Sequence, residues 1–503
     1  MVGAAGFRDQ SESVGRGDSW RCGSQKLPGH RLLHRLSANS ASVAVLNHIK
    51  QLRPDIITMI GGGNCEGQMA EGIASLNAHI DFIFSGEGEV AFPNVLKQIL
   101  SGRPPQSRLI YGEPCGNLDA IPTPTYVEFF EQLEQYFPNW ARHNEIWIPY
   151  ESSRGCWWGQ KQHCTFCGLN GLGMTFREKS PARVIAELST LLSESKSRRV
   201  FTVDNIMPYT YFHTLLPRLE AEVPNLYMHY EQKANLSLQK VIALKKAGIA
   251  EIQPGIEALS SSLLKRMKKG VSASQNIALL RYCRAVRVMV KWNLLYALPG
   301  DQLHEYVQTL ALLPLLRHLP PPSGLYHLNL DRFSPYFDHP EEYGVTQIRP
   351  CDYYASVFPP SADIAKLAYH FEADYHSDSR EHPELMRKLR HAVEEWRKSW
   401  YAGETARPTL ALHALSRQLF LLRDTRGLPG TQAMQVLNRE EASVALVGRR
   451  SVQTAEVQWA IEHKLGVELD GAYVPLATAQ PELLQEFEAE QRGVECSAVR
   501  AHG

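Results

Sequence analysis

Residues 148–171, IPYESSRGCWWGQKQHCTFCGLNG, constrain this chain more than any other stretch. An apolar run over 146–150 has the character of a buried strand and hands over to a glycine-rich loop. That loop carries Cys156, Cys164 and Cys167 in a CxxxxxxxCxxC pattern. Three thiolates on one loop suit a cubane iron–sulfur cluster with one iron left without a protein ligand, open to a substrate or cosubstrate. The CxxC half reaches adjacent corners, and the longer first gap lets the chain wrap around the cluster. Gly155, Gly159, Gly168 and Gly171 permit the close backbone approach this needs. The competing reading is a zinc knuckle that adds His163 to the same thiols. It is weakened because no partner CxxC follows downstream to close a four-ligand site.

From residue 146 on, apolar strands and amphipathic helices alternate. Strands are predicted at 146–152, 199–204, 226–231, 249–255, 288–296 and 325–332, with helices at 182–193, 238–246 and 260–267 among them. Six such units predict an α/β fold built on a partial (β/α)6, TIM-like barrel, in which chemistry sits where strands hand over to loops. Polar residues recur at those ends: Asp204 and Asn205, Glu231 with Gln232 and Lys233, Gln253 with Glu257, Asn293, and Asp331 with Arg332. Taken singly, each reads as a cap or a solvated end. Five at corresponding positions, on the face that carries the cysteine loop, read as a site.

At these residues the chain resembles the radical S-adenosylmethionine (SAM) enzymes. It is most similar to the cobalamin-dependent group that matures ribosomally made, post-translationally modified peptides (RiPPs). The run GCWWGQKQHCTFCGLNG, with seven residues in its first gap where most radical SAM proteins have three, carries the resemblance, which extends over about 41–400. It implies a 4Fe–4S cluster on Cys156, Cys164 and Cys167, with SAM chelating the open iron. Asp204 and Asn205 would then stand near the SAM amino group, and Glu231 and Lys233 near its ribose or carboxylate. Gln253, Glu257 and Asn293 would line the cosubstrate pocket. Reductive cleavage of SAM would yield a 5′-deoxyadenosyl radical able to take hydrogen from an unactivated carbon. With cobalamin as methyl donor, the implied reaction is C-methylation of a peptide side chain. Implied partners are a peptide substrate with or without a leader, and an electron donor such as flavodoxin or ferredoxin. Epimerisation or cyclisation without cobalamin, and a zinc-stabilised binding protein without chemistry, are the alternatives.

Residues 41–102 repeat a βαβα pattern. A helix over 42–52, a strand over 55–60, a helix over 69–76, a strand over 80–84 and a helix over 91–100 are predicted, with glycines at the carboxyl ends of both strands. GGGNCEG and DFIFSGEGEVAFP resemble the second half of the family's cobalamin-binding domain. The resemblance assigns Gly61, Gly62, Gly63, Gly86, Glu87 and Gly88 to the corrin and its nucleotide tail. The first half, about three more strands, should precede residue 42, and residues 1–41 are too short and polar to supply it. The expectation is therefore an incomplete doubly wound domain, either from a longer protein or with weakened cobalamin binding.

Residues 1–40, rich in Gly, Ser and Arg, are expected to be disordered, and 103–145 form a proline-punctuated connector with a helix over 127–136. The first domain and its connector take 41–135 and the barrel 136–340. Residues 341–403, with a helix over 383–398, form an extension that could cap the barrel mouth. Residues 404–503 form a small α+β domain that could recognise a peptide. In it a strand lies within 417–426, helices over 431–438 and 451–465, and a hairpin turns at Asp470-Gly471. The last residues, from 493, are expected to fray. Fifty-three basic and 53 acidic residues cancel, which argues against a nucleic-acid partner. No apolar run has membrane-span length, and nine mostly scattered cysteines point to a reducing, cytoplasmic setting.

Overall fold

The computed structural model describes residues 29–76, 79–449 and 451–501. Its centre is a parallel sheet in which Trp147–Tyr150, Arg199–Thr202, Tyr227–Gln232, Ile249–Pro254 and Met289–Val290 lie side by side. A further parallel pair, Leu294–Tyr296 with Leu325–His327, continues the curve and brings the barrel to six strand positions. The α/β class and partial barrel thus stand as expected. Side-chain alternation sorts the faces: Ile148, Tyr150, Val200, Met228, Tyr230 and Ile252 are buried toward the helices.

Two predicted strands are interrupted, for the same reason. At 291–293 the chain changes partner: the Lys291 amide still donates to the Ile252 carbonyl, while the Leu294 amide donates to Gly324. The strand predicted over 288–296 is therefore split, and Asn293 sits in the break. The strand predicted over 325–332 ends at His327. Leu330–Asp331 then joins an antiparallel sheet with His370–Asp374 and Thr346–Pro350.

The helices between strands start where small polar residues can cap them. Ser180 accepts from the Arg183 amide ahead of Pro181–Glu194, and Ser237 from Lys240 ahead of Leu238–Lys246. Ser272 and Gln275 close a reciprocal capping box on Ala273–Val286. Helix Pro181–Glu194 buries Val184, Leu188 and Leu191 along one stripe. It also carries Glu187, buried against Lys179 Nζ at 2.7 Å and the Tyr150 hydroxyl at 2.7 Å, which locks helix to sheet.

Ahead of the barrel, Met59–Ile60, Phe82–Gly86 and Leu109–Gly112 form a three-stranded parallel sheet with helices Gln68–Leu76 and Gly88–Leu100. The helix before it spans Gly29–Leu52, so the expectation of disorder up to residue 40 is corrected over 29–40. Residues 1–28 lie outside the described residues.

After the barrel, helix Pro383–Tyr401 buries Met386, Leu389, Val393, Trp396 and Trp400 at helical spacing. The last unit is a four-stranded sheet in the order Met434–Asn438, Leu419–Asp424, Leu410–Ala414, Thr478–Ala479, with a hairpin of Gly466–Leu469 and Ala472–Pro475. The expected helix over 431–438 is thus corrected to a strand. Its residues pair antiparallel with 419–423, and tertiary pairing overrides a weak local preference. The last described element is helix Pro481–Ala501. Buried Arg281 joins this unit to the barrel's outer helix, donating to the Ala477 carbonyl at 2.9 Å and the Leu446 carbonyl at 2.9 Å. Among the described residues, no helix is long and apolar enough to cross a membrane.

Candidate functional site

The cysteine loop leaves the first barrel strand and is pinned at both ends. Ser153–Arg154 pairs antiparallel with Arg177–Glu178, and the Cys156 amide donates to the Met174 carbonyl. At Gly155 the backbone takes φ 79°, and a β-carbon there would lie 2.4 Å from the Thr175 carbonyl oxygen, so the crossing requires glycine. Two tryptophans tie the loop to the barrel mouth: the Trp157 indole N–H donates to Met207 O at 3.1 Å and that of Trp158 to Lys268 O at 3.1 Å. The Cys167 amide donates to Cys164 O, making the tight turn of the CxxC half.

All three thiols are free and half-buried. Their sulfurs do not lie within 4.8 Å of one another as a set, with or without His163. Burial pushes the Cys167 thiol up to about 12 and raises Cys164, with Lys269 pulling both back down. Without a metal these groups are neutral thiols; bound to iron they are thiolates. The donor set and the close-packed loop fit a three-cysteine cluster.

Around the loop the strand ends bring several of the expected side chains together. Lys269, unremarked in the sequence, is the centre of the group. Its ammonium stands 3.5 Å from Glu257, beside Cys164 and Cys167. Lys233 lies over the Trp158 ring, 3.4 Å from its centroid, and donates to the Lys269 carbonyl. Burial and the neighbouring Lys269 charge lower Lys233 to about 8. Glu231 accepts from Gln253 at 3.2 Å, and burial with Glu257 nearby raises it to about 7. Asn205 donates to Asn170 of the cysteine loop at 2.5 Å. Asn293 is half-buried one strand further round.

Asp204 is placed differently. It is 1 % exposed, and both carboxylate oxygens are occupied. The Ser152 amide donates at 2.8 Å, the Ser152 hydroxyl at 2.5 Å and the Ser153 hydroxyl at 2.8 Å. Asp204 is therefore a strut between the first two strands, directly beneath the loop. Burial raises its carboxyl to about 6 against the pull of the Ser152 hydrogen bonds.

The glycine turns of the first domain face the same loop. Gly61, Gly62 and Gly63 are exposed, and Glu66 just beyond them accepts from the Leu172 amide at 2.9 Å. At Gly86, φ is 82° and a β-carbon would lie 2.6 Å from the Gly112 carbonyl. Gly61, Gly62 and Gly63 thus leave bare backbone exposed on this edge, whereas the constraint at Gly86 comes from the neighbouring strand. Gly88 begins the following helix.

Glu87, between Gly86 and Gly88, is committed elsewhere. Its carboxylate meets Arg177 at 2.6 Å and Arg154 at 2.9 Å and accepts from the Cys115 amide at 2.7 Å. Arg154 also reaches Glu89 at 2.5 Å and Glu151 at 2.8 Å. This half-buried network clamps the first domain to the two ends of the cysteine loop. Replacing Glu87 with Gln leaves two guanidinium groups without their shared carboxylate, at a cost of about 1–3 kcal/mol. Faster proteolysis within the 103–126 connector is expected in that variant, with the barrel fragments left intact; equal rates would mean that the clamp does not hold the domains.

Sequence reasoning missed Lys269, the Ser152–Ser153 cradle and the Arg154–Arg177 clamp. Lys269 lies in RMKKG, where a basic run reads as a solvated helix end, and only the tertiary fold shows it half-buried beside the thiols. Arg154 had a usable signal, being two residues ahead of the first cysteine.

Residues 150–313 match the Radical SAM superfamily. Among curated proteins, the chain is 22% identical over 295 residues to tRNA-2-methylthio-N(6)-dimethylallyladenosine synthase of Pelotomaculum thermopropionicum, covering 54% of this chain and 59% of that one. It is 23% identical over 270 residues to hopanoid C-3 methylase of Methylococcus capsulatus, covering 49% of this chain and 48% of that one. The chain thus spans about half the length of these relatives. Among solved structures, the cobalamin-dependent S-adenosylmethionine radical enzyme OxsB aligns with a TM-score of 0.52 at 15% identity, over 75% of this chain and 58% of OxsB. The radical S-adenosylmethionine methyltransferase TsrM from Kitasatospora setae aligns with a TM-score of 0.51 at 15% identity, over 71% of this chain and 74% of TsrM. At such identities the likeness is one of fold. The superfamily match implies SAM and an iron–sulfur cluster, and it covers the cysteine loop and the strand ends around it: residues 150–313 are a radical SAM domain.

Proposed function

We propose that this protein reductively cleaves SAM at a 4Fe–4S cluster held by Cys156, Cys164 and Cys167 and uses the radical to modify a peptide. The reaction we favour is cobalamin-dependent C-methylation of an unactivated carbon during RiPP maturation, in the cytoplasm. The observation that carries the reading is the meeting of three free thiols with Lys233, Lys269, Glu231 and Glu257 at one end of a parallel barrel. When bound, the cluster and SAM supply a 5′-deoxyadenosyl radical, and cobalamin supplies a methyl group.

The chain's own residues hold, orient and shield. Three thiolates bring negative charge into a poorly solvated loop, and half-buried Lys269 with Lys233 above it offsets that charge. Glu231, Gln253 and Asn205 present hydrogen-bonding groups at the height where a bound nucleoside's hydroxyls and amine would lie. Trp157 and Trp158 cover the loop and exclude water. Asp204 acts as a positioning residue, holding Ser152 and Ser153 under the first cysteine. Gly61, Gly62, Gly63 and Gly86 would carry cobalamin on the loop-facing edge of the first domain. The relatives' names favour methyl or methylthio transfer over epimerisation or cyclisation. A peptide with its leader, and a flavodoxin- or ferredoxin-type electron donor, complete the proposal.

Anaerobic reconstitution with iron, sulfide and hydroxocobalamin, then SAM and a strong reductant, tests it by mass spectrometry. Formation of 5′-deoxyadenosine is expected, and S-adenosylhomocysteine only with cobalamin. Retention of zinc and no iron would overturn the reading.

A further inference from the structure

The concave face of the barrel sheet carries a second set of side chains one pleat below the site just described. On strand Tyr227–Gln232, Tyr227, His229 and Glu231 point to the same side, since alternate residues share a face. Register then sets out rows across the sheet. Glu231 faces Gln253, and in the next row Phe201, His229 and Glu251 are neighbours, with Met289 beside Glu251. One repeat of two residues separates the rows by about 6.6 Å.

The chemistry of this second row is unusual for a barrel interior. The Phe201 ring lies flat on the His229 imidazole, centroids 4.2 Å apart and planes within 4°. The row is not sealed by apolar packing: Phe201 is 37% exposed and Met289 54%. Lys291 pairs with Glu251 at 2.6 Å and extends its half-exposed chain along the same edge. His229 itself has no exposed surface; the Thr202 backbone lies near its ring, but neither ring nitrogen makes a well-aligned hydrogen bond. Among the buried side chains described, no other ring is left with both nitrogens unpaired. Burial, with Lys291 adding to it, lowers this imidazole to about 4, so near neutral pH it is uncharged, with one nitrogen free to accept.

We propose that the Phe201–His229–Met289 row is the substrate-recognition floor of the barrel. It takes a flat aromatic or heteroaromatic group bearing an N–H or O–H donor, which His229 accepts while Phe201 lies against the ring face and Met289 lines the open end of the row. The inference rests on the radical SAM reading for the word substrate, but the binding site stands on geometry alone. A ring held there leaves the carbon next to it one pleat nearer the cysteine end, beside Glu231. An unpaired buried imidazole is costly to keep in a core, and a ligand donor relieves that cost. Phe201, with its exposed edge, is the side chain that must swing for the ligand to enter.

The test measures binding and stability, so it does not depend on turnover. Reconstituted protein is titrated with indole and with 1-methylindole, which has the same ring and no donor. Indole is expected to bind about ten-fold more tightly, the difference one hydrogen bond to a buried acceptor makes. His229→Leu should abolish that preference, and His229→Gln, which restores an acceptor, should recover part of it. His229→Leu should also melt no lower than the parent, because it removes an unpaired polar group. Equal binding of the two ligands, no binding of either, or a lower melting temperature in His229→Leu would overturn the proposal; the last would assign His229 to structure. Failure of 5′-deoxyadenosine formation in the parent protein would instead strike the radical reading and leave these binding results to stand.

Discussion

Replacing Cys164 with alanine is expected to strip the cluster and, with it, all cleavage of SAM. The loop offers three sulfurs and no spare. Of the other cysteines described, Cys65 and Cys283 are buried in apolar packing, where burial raises the Cys65 thiol to about 11. Cys115 lies in the first domain, its sulfur donating to Asn117 at 3.4 Å, and Cys351 lies in the capping extension. A two-cysteine loop leaves two irons without protein ligands, and a cubane so held is lost to chelation or oxidation. Changes merely next to a metal ligand already cost 10–100-fold, so loss of a ligand should lower 5′-deoxyadenosine formation by more than about 100-fold. Iron content and visible charge-transfer absorption should fall together. The fold should survive, because backbone and indole hydrogen bonds fasten the loop independently of the thiols. A variant that keeps its iron but cleaves no SAM would contradict this account. It would place Cys164 at the cosubstrate and not at the metal.

Much of this was legible in the sequence because local signals and tertiary demands agree there. The CxxxxxxxCxxC run, its glycines and the strand ahead of it are all contiguous, and six apolar strands separated by capped helices leave few folds to consider. Helix 238–246 begins at a serine cap and ends where its apolar stripe ends, so its bounds could be read directly. Where contacts are long-range, reading failed. Residues 434–438 are a strand only because Leu419–Asp424 lies beside them. The break at Asn293 exists because the chain trades one strand partner for another, which no window of residues encodes. The same limit governs the site. That Asp204 stands at a strand end was visible, but its burial under two serines 51 and 52 residues earlier was not. The resemblance assigns Glu87 to a cofactor turn, and only the arginines brought from the barrel reveal a clamp.

The role of Asp204 yields the second large effect, and the sign of its pH dependence separates a strut from a ligand. Removing the carboxylate in Asp204→Ala leaves the buried Ser152 amide without its acceptor and the two serine hydroxyls with Tyr230 and the Ile206 carbonyl to turn to. A loss of about 1–3 kcal/mol is expected in denaturant unfolding, the range for leaving a buried donor unsatisfied. Asp204→Asn keeps an acceptor oxygen and should lose less. The two forms must also differ with pH. In the fold the carboxyl is raised from 3.8 to about 6, mainly by burial. The folded state therefore favours the protonated form. The stability this contributes is fully present below the unfolded value and is lost as pH rises through about 6. Asn has no proton to lose. Relative to Asp204→Asn, the parent should lose about 2 kcal/mol between pH 4 and pH 7, with most of the change below about pH 6. A ligand role predicts the opposite pattern. Stability would then be indifferent to both substitutions, and the KM for SAM would rise while the unfolding midpoint stayed put. Because Ser152 and Ser153 lie four and three residues before Cys156, a strut that fails should also loosen the loop. Iron retention in Asp204→Ala should therefore fall in step with stability, whereas in Asp204→Asn both should be largely kept.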